Sequence, residues 1–212
     1  VLVVTGGPGV GKTTIVRAIL ALFDQARIAV RLAAPTGRAA KRMSEATGRE
    51  AVTLHRLLEF DPKMRAFNRK HGRPIEAGAI IVDETSMLDL SLADALFQAL
   101  ANEARVVLVG DVDQLPSVGP GAVLRDVIAS GEVATVRLTR IFRQAEGSLI
   151  VRNAHRIHDG EPPESATGTD GEFYVLERTG ADAAADAILQ MVTERIPQRF
   201  GLDPRSMVQV LT

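Results

Sequence analysis

Gly6-Gly7-Pro8-Gly9-Val10-Gly11-Lys12-Thr13 has the spacing G-x-x-x-x-G-K-T. Small residues let consecutive backbone N–H groups turn inward around phosphate oxygens. The helix that follows adds the partial positive charge of its N-terminus. Lys12 can reach the β- and γ-phosphates of a nucleotide, and the Thr13 hydroxyl can coordinate Mg²⁺. The alternative is a glycine-rich strand–helix turn that binds nothing. A second group of chemically capable residues ends an apolar run, Ile80-Ile81-Val82-Asp83-Glu84. Asp83 suits the Mg²⁺ shell and Glu84 suits a general base acting on water. A third, Leu108-Val109-Gly110-Asp111-Val112-Asp113-Gln114, ends in an amide. Gln114 can bond a γ-phosphate or the attacking water. As bare spacing, the second and third groups also read as solvated turns.

These residues need a scaffold that brings strand ends together. Val1–Thr5, 28–34, Gly78–Asp83, Arg105–Gly110 and, more weakly, Val133–Leu138 read as strands. Helices are expected after the first turn, with Ile15, Ala18, Ile19 and Leu22 as its apolar stripe, and at 38–46. Others are expected at Ser91–Ala101, capped by Ser91, at Ser148–His158 and at Ala181–Ile196. Met207–Thr212 reads as a further strand. Such alternation predicts an α/β fold, a mainly parallel sheet with helices on both faces. Both ends of the chain fall in strand-like runs, so a fragment of a longer protein is expected. Residues 154–172 are rich in Gly, Pro, Glu and Asp and read as a linker or long loop.

The 212 residues contain no cysteine, which excludes a disulfide framework and thiolate zinc sites. No apolar run approaches a membrane span, and the N-terminus has no leader pattern, so an intracellular, cytoplasmic protein is expected. The formal charge of −1 conceals segregation: residues 1–75 carry 14 Lys/Arg against 5 Asp/Glu, and residues 76–212 carry 11 against 21. A surface meeting a polyanion is one reading, and mixing of the charges on folding is the other. Between Arg38 and Arg73 stand 10 Lys/Arg against 4 Asp/Glu, with His55 and His71. Thr36, Arg38, Thr53 and His55 can all bond phosphate oxygens, and Phe60 and Phe67 could stack bases.

The ordered set of motifs resembles the RecD-like branch of superfamily 1 DNA helicases, the exodeoxyribonuclease V alpha-subunit family. Gly6–Thr14 resembles helicase motif I, and Ala34-Pro35-Thr36-Gly37-Arg38-Ala39-Ala40 resembles motif Ia. Thr53-Leu54-His55-Arg56-Leu57-Leu58 resembles the T-x-H-x-L-L element. Asp83-Glu84-Thr85-Ser86-Met87 resembles motif II, and the run from Gly110 to Gly121 resembles motif III. Leu138-Thr139-Arg140-Ile141-Phe142-Arg143-Gln144 resembles motif IV. No counterpart of motifs V and VI or of the adenine-reading glutamine segment occurs in these residues.

The resemblance implies a RecA-like P-loop NTPase fold and ATP-driven, 5′→3′ translocation on single-stranded DNA with duplex unwinding, in recombination and repair. It implies ATP and Mg²⁺ as cofactors, nuclease or repair-complex subunits as partners, and no membrane. The implied nucleotide set is Gly6, Gly7, Pro8, Gly9, Val10, Gly11, Lys12, Thr13, Thr14 and Asp83, with Thr13 and Asp83 on the metal. The implied catalytic set is Lys12, Glu84, Gln114 and Arg143, the last as an arginine finger. Pro35, Thr36, Gly37, Arg38, Thr53, His55 and Arg56 are implied DNA contacts. Residues 1–136 would form the first lobe, with 59–76 a small basic hairpin insertion. Residues 137–212 would begin a second, truncated lobe. The competing classes are a non-motor P-loop ATPase and a nucleotide kinase.

Overall fold

A computed structural model describes residues 1–140 and 147–211. These residues separate into two compact units, Val1–Pro162 and Pro163–Thr212. The first unit is built on a parallel six-stranded sheet. Its strands are β1 (Leu2–Thr5), β2 (Val30–Ala34), β3 (Ala51–Thr53), β6 (Ala79–Val82), β7 (Arg105–Gly110) and β8 (Ala134–Arg137), in the order β3-β2-β6-β7-β1-β8. β1 pairs with β7 from Leu2 opposite Val107 to Thr5 opposite Gly110, and β6 pairs with β7 from Ala79 opposite Arg105 to Val82 opposite Leu108. All pairs run parallel, so every strand delivers its following loop to the same edge.

Alternation along the central strands feeds two cores. Val3, Ile80, Val82, Val106 and Leu108 pack on one face with Leu92 and Leu96 of α4 (Leu90–Gln98) and Val123 and Leu124 of α5 (Val123–Ser130). Val4, Ile81, Val107 and Val109 pack on the other with Val16 and Leu20 of α1 (Lys12–Gln25) and Met43 of α2 (Gly37–Thr47). The parallel α/β layering expected from the alternation is therefore present. The stripe expected for α1 is rotated: Val16 and Leu20 are buried, Ile15 and Ile19 half-buried, and Ala18 and Leu22 exposed. The helix begins on Lys12, and that start fixes which of its apolar residues meets the sheet.

Asp89, not Ser91, caps α4: its carboxylate accepts the Leu92 N–H at 2.8 Å. The acceptor lies two residues earlier than expected, so Ser91 sits inside the first turn, exposed. Thr36 caps α2, accepting from the Ala39 N–H at 3.3 Å, and Gly48 ends that helix with φ +70°. Thr53 caps the single turn α3 (Leu54–Leu57) through the Arg56 N–H at 3.2 Å. Then β4 (Phe60–Asp61) and β5 (Ala66–Phe67) form an antiparallel hairpin. Its turn is organised by the Asp61 carboxylate, which accepts from the N–H groups of Lys63 and Met64. After β8, α6 (Leu149–His158) completes the unit apart from its last four residues.

In the second unit, α7 (Ala181–Gln190) runs through a π-helical turn, Met191–Arg195, into α8 (Ile196–Phe200), which Gly201 closes at φ +66°. The strand expected at 207–212 is not formed among the described residues. The Asp203 carbonyl accepts the Met207 N–H in a turn, its carboxylate accepts the Ser206 hydroxyl, and Leu211 is exposed. A strand needs a paired neighbour, and 207–211 pairs with none. Among the described residues no helix is long and apolar enough to cross a membrane.

Candidate nucleotide and nucleic-acid site

The loops after β1, β6 and β7 meet because those three strands are neighbours in the sheet. Side chains about 70 and 100 residues apart in sequence therefore share one edge. The phosphate loop spans Gly6–Gly11. Gly9 and Gly11 have φ +76° and +84°, which L side chains rarely adopt. A Cβ on Gly6 would lie 2.5 Å from the Leu138 carbonyl oxygen and 2.8 Å from Val10. Lys12 folds over the loop, its Nζ donating to the carbonyls of Gly6 at 2.6 Å and Gly7 at 2.9 Å.

Thr13, Asp83 and Glu84 line one cavity of about 220 Å³, together with Arg42 of α2. Asp83 accepts the Glu84 N–H at 2.9 Å, and its own N–H donates to Ala33 at 3.0 Å. Burial pushes the Asp83 carboxyl above its ordinary value, against the pull of the Glu84 N–H and Lys12. Glu84 is pushed up too, by burial first and then by the negative charge of Asp83, with Lys12 and Arg42 opposing. Glu84 also holds φ +53°, a left-handed conformation that costs a non-glycine residue about 1–2 kcal/mol. The strain turns the chain sharply at the strand end, where Thr85 anchors it by donating to the Val109 carbonyl at 2.9 Å.

Gln114 lies apart from Glu84. It donates to the Asp111 carboxylate at 3.3 Å and lines a second cavity, of about 380 Å³, with Gly6, Gly7 and Pro8. The cavity with Gln114 thus takes in the first residues of the phosphate loop, and the cavity with Glu84 takes in Thr13 on the first turn of α1. Thr14 is exposed on the first turn of α1. Arg143 lies outside the described residues.

The proposed DNA contacts occupy the β2–β3 end of the same sheet edge. Pro35 and Thr36 follow β2, Gly37 and Arg38 open α2, and Thr53, His55 and Arg56 sit around the start of α3. The hydroxyl oxygens of Thr36 and Thr53 are occupied as helix caps, which leaves each its O–H to donate. His55 packs edge-on against Phe60 with ring centroids 5.4 Å apart, and Phe67 joins both. The basic stretch is partly spent on structure. Arg69 pairs with Glu59 at 2.7 Å, Arg73 pairs with Glu59 at 3.0 Å, and Arg56 pairs with Glu50 at 3.6 Å.

Arg42, Ser86 and His155 were not foreseen. Arg42 lies one turn beyond Arg38, an i, i+4 signal readable from the helix pattern. Ser86 is buried and its hydroxyl has no partner among the described residues. His155 lies against the phosphate loop from a helix distant in sequence, which no local pattern announces.

The residues fit a Mg²⁺–nucleoside triphosphate. The cradle excludes side chains, a lysine stands over it, and a hydroxyl and a carboxylate share the neighbouring cavity, the set Mg²⁺ uses beside phosphate oxygens. Residues 1–120 match the family described as an AAA domain. The chain is 44% identical over 163 residues to the ATP-dependent RecD2 DNA helicase of Deinococcus radiodurans, covering 76% of this chain and 22% of that protein. It is 42% identical over 190 residues to the RecBCD enzyme subunit RecD of Mycobacterium tuberculosis, covering 76% and 32%. The chain therefore spans a third or less of the length of these relatives. The Pif1 helicase of Candida albicans superposes with a TM-score of 0.57 at 26% identity, over 77% of this chain and 41% of that one. With over half its length matched, the chain belongs to the AAA domain family, and its relatives include an ATP-dependent RecD2 DNA helicase and RecD subunits of the RecBCD enzyme.

Proposed function

We propose that the full-length protein is an ATP-dependent, Mg²⁺-requiring DNA helicase that moves 5′→3′ on single-stranded DNA in recombination and repair. The observation that carries this reading is the convergence of the phosphate loop, Asp83–Glu84 and Gln114 on the sheet edge that also presents Thr36, Arg38, Thr53 and His55. The names of the relatives, a DNA helicase and a RecBCD subunit, support the same activity and nuclease-complex subunits as partners.

In this reading Lys12 leaves the loop carbonyls to hold the β- and γ-phosphates. Thr13 and Asp83 hold Mg²⁺, which would neutralise charge on the phosphates. Glu84 takes the proton of the attacking water; its raised pKa makes it the stronger base once ionised. Gln114 orients that water or the γ-phosphate, and Arg143 serves as the arginine finger. Pro35, Thr36, Gly37, Arg38, Thr53, His55 and Arg56 track the DNA backbone and bases. Residues 1–136 constitute the first lobe, and 137–212 open the second.

The test is strand displacement by the full-length protein on duplexes with a 5′ or a 3′ single-stranded tail. Unwinding of the 5′-tailed duplex alone is expected. Unwinding of the 3′-tailed duplex alone would reverse the direction. Failure on both, with phosphoryl transfer to a small acceptor, would favour a nucleotide kinase.

A further inference from the structure

The geometry points to His155 as a further nucleotide-contacting residue, whose Nε2–H donates to the terminal phosphate of the bound triphosphate. This inference rests on the nucleotide reading given above.

Three observations converge on it. First, His155 Nε2 is buried and has no hydrogen-bond partner among the described residues. A buried ring nitrogen left unmet costs stability, and an orphan of this kind beside a ligand cradle asks for a partner from the ligand, which for a phosphate oxygen is the Nε2–H tautomer. Second, the imidazole lies against the phosphate loop itself. A Cβ on Gly7 would be 3.0 Å from His155 Cε1 and 3.8 Å from Nε2. Glycine at position 7 is what lets the ring approach so closely.

Third, the helix presenting the ring is held on the Gln114 side of the site. His158 stands one turn after His155 on α6, so both project from one face. His158 Nε2 lies 3.8 Å from the carboxylate of Asp113, the residue before Gln114. Both histidines line the 380 Å³ cavity with Gly7, Pro8, Gln114 and Arg137. Two acids line it as well, Asp111, which accepts from the Gln114 amide, and Asp113, which faces His158; His155 and Arg137 stand beside them as groups that donate to anions. A glutamine in this role works at the terminal phosphate and its water. Lys12, at the start of α1, reaches over the same loop to the carbonyls of Gly6 and Gly7 and in the nucleotide reading holds the β–γ end. The cavity is therefore on the side to which the free oxygens of the terminal phosphate turn, which commits the contact to that group rather than to the α- or β-phosphate.

The variant that isolates the donor is His155→Phe, which keeps a flat ring against Gly7 and removes Nε2–H. His155→Gln supplies an amide donor of similar reach. Affinities of the full-length proteins for a non-hydrolysable ATP analogue and for ADP are measured by calorimetry. For His155→Phe, the analogue should bind about tenfold more weakly, the scale of one hydrogen bond to a charged group. ADP affinity should stay within about twofold, and His155→Gln should recover part of the loss. A purely packing role would weaken both nucleotides together. Parallel loss of analogue and ADP, or unchanged affinity for the analogue, overturns the assignment. The functional reading fails separately, if the unsubstituted protein binds neither nucleotide.

Discussion

Gly6→Ala puts the tightest contact of the site under load. The added methyl would lie 2.5 Å from the Leu138 carbonyl oxygen and 2.8 Å from Val10 Cγ2. Ordinary carbon contacts lie near 3.5 Å, so relief requires a shift of about 1 Å. The carbonyl is not free to give way. The N–H of Leu138 donates to Thr5 at 2.7 Å, continuing the pairing of β1 with β8, and Val10 is buried. The loop must move instead, at a cost of about 1–3 kcal/mol for overpacking. At about 2–4 °C per kcal/mol for a chain of this size, the midpoint of thermal unfolding should fall by roughly 2–12 °C.

Displacing the loop also turns its N–H groups away from the phosphates, so nucleotide affinity should fall at least about tenfold, the scale of one lost hydrogen bond to a charged group. Gly37→Ala is the control. It adds a methyl with nothing within 4 Å, at the first position of α2. That change should leave stability equal or raise it by up to about 1 kcal/mol. Differential scanning fluorimetry on both variants decides the matter. An unfolding midpoint for Gly6→Ala within 1 °C of the parent (about 0.3–0.5 kcal/mol) would refute the packing argument.

Glu84→Gln should retain nucleotide binding and lose turnover, and the acid limb of the wild-type kcat against pH should lie above 4.5, the ordinary value for glutamate. A raised carboxyl pKa gives its full contribution to stability below the unfolded value and loses it as pH climbs through the folded one. Glu84→Gln should therefore raise the unfolding temperature at pH 7 and not at pH 4, which calorimetry at both pH values checks. Thr36→Ala removes the cap of α2 and should cost about 1 kcal/mol in chemical denaturation, with Thr36→Ser restoring most of it. Arg69→Met removes the 2.7 Å partner of Glu59 at the hairpin base and leaves Arg73, for about 1 kcal/mol, and hydrogen exchange at residues 60–67 should quicken; unchanged exchange would count against the anchor.

The central strands were legible because they are buried on both faces, which makes their apolar runs continuous, as in Ala79–Val82 and Arg105–Gly110. The chemistry at their ends followed, since parallel order sends each loop to one edge. Helix phase was less legible. The α1 stripe depended on where the phosphate loop releases the chain, and the α4 cap on an aspartate competing with a nearby serine. The strand expected at 207–212 failed because periodicity reports a residue's preference and says nothing of whether a pairing neighbour exists. His155 was invisible for another reason. A histidine on an amphipathic helix has no local signature of a ligand, and only folding lays it against Gly7. The segregated charge was half informative: Arg69 and Arg73 are consumed by Glu59, while Arg38 and Lys63 remain exposed.

The most direct test of the account is steady-state ATP hydrolysis by the full-length protein as single-stranded oligonucleotide is titrated in. The placement of Lys12, Asp83–Glu84 and Gln114 after the neighbouring strands β1, β6 and β7, on the edge that also carries the basic stretch, predicts turnover that rises severalfold to a plateau with DNA and vanishes in Lys12→Ala. Turnover indifferent to DNA, or preserved without the lysine, would contradict it.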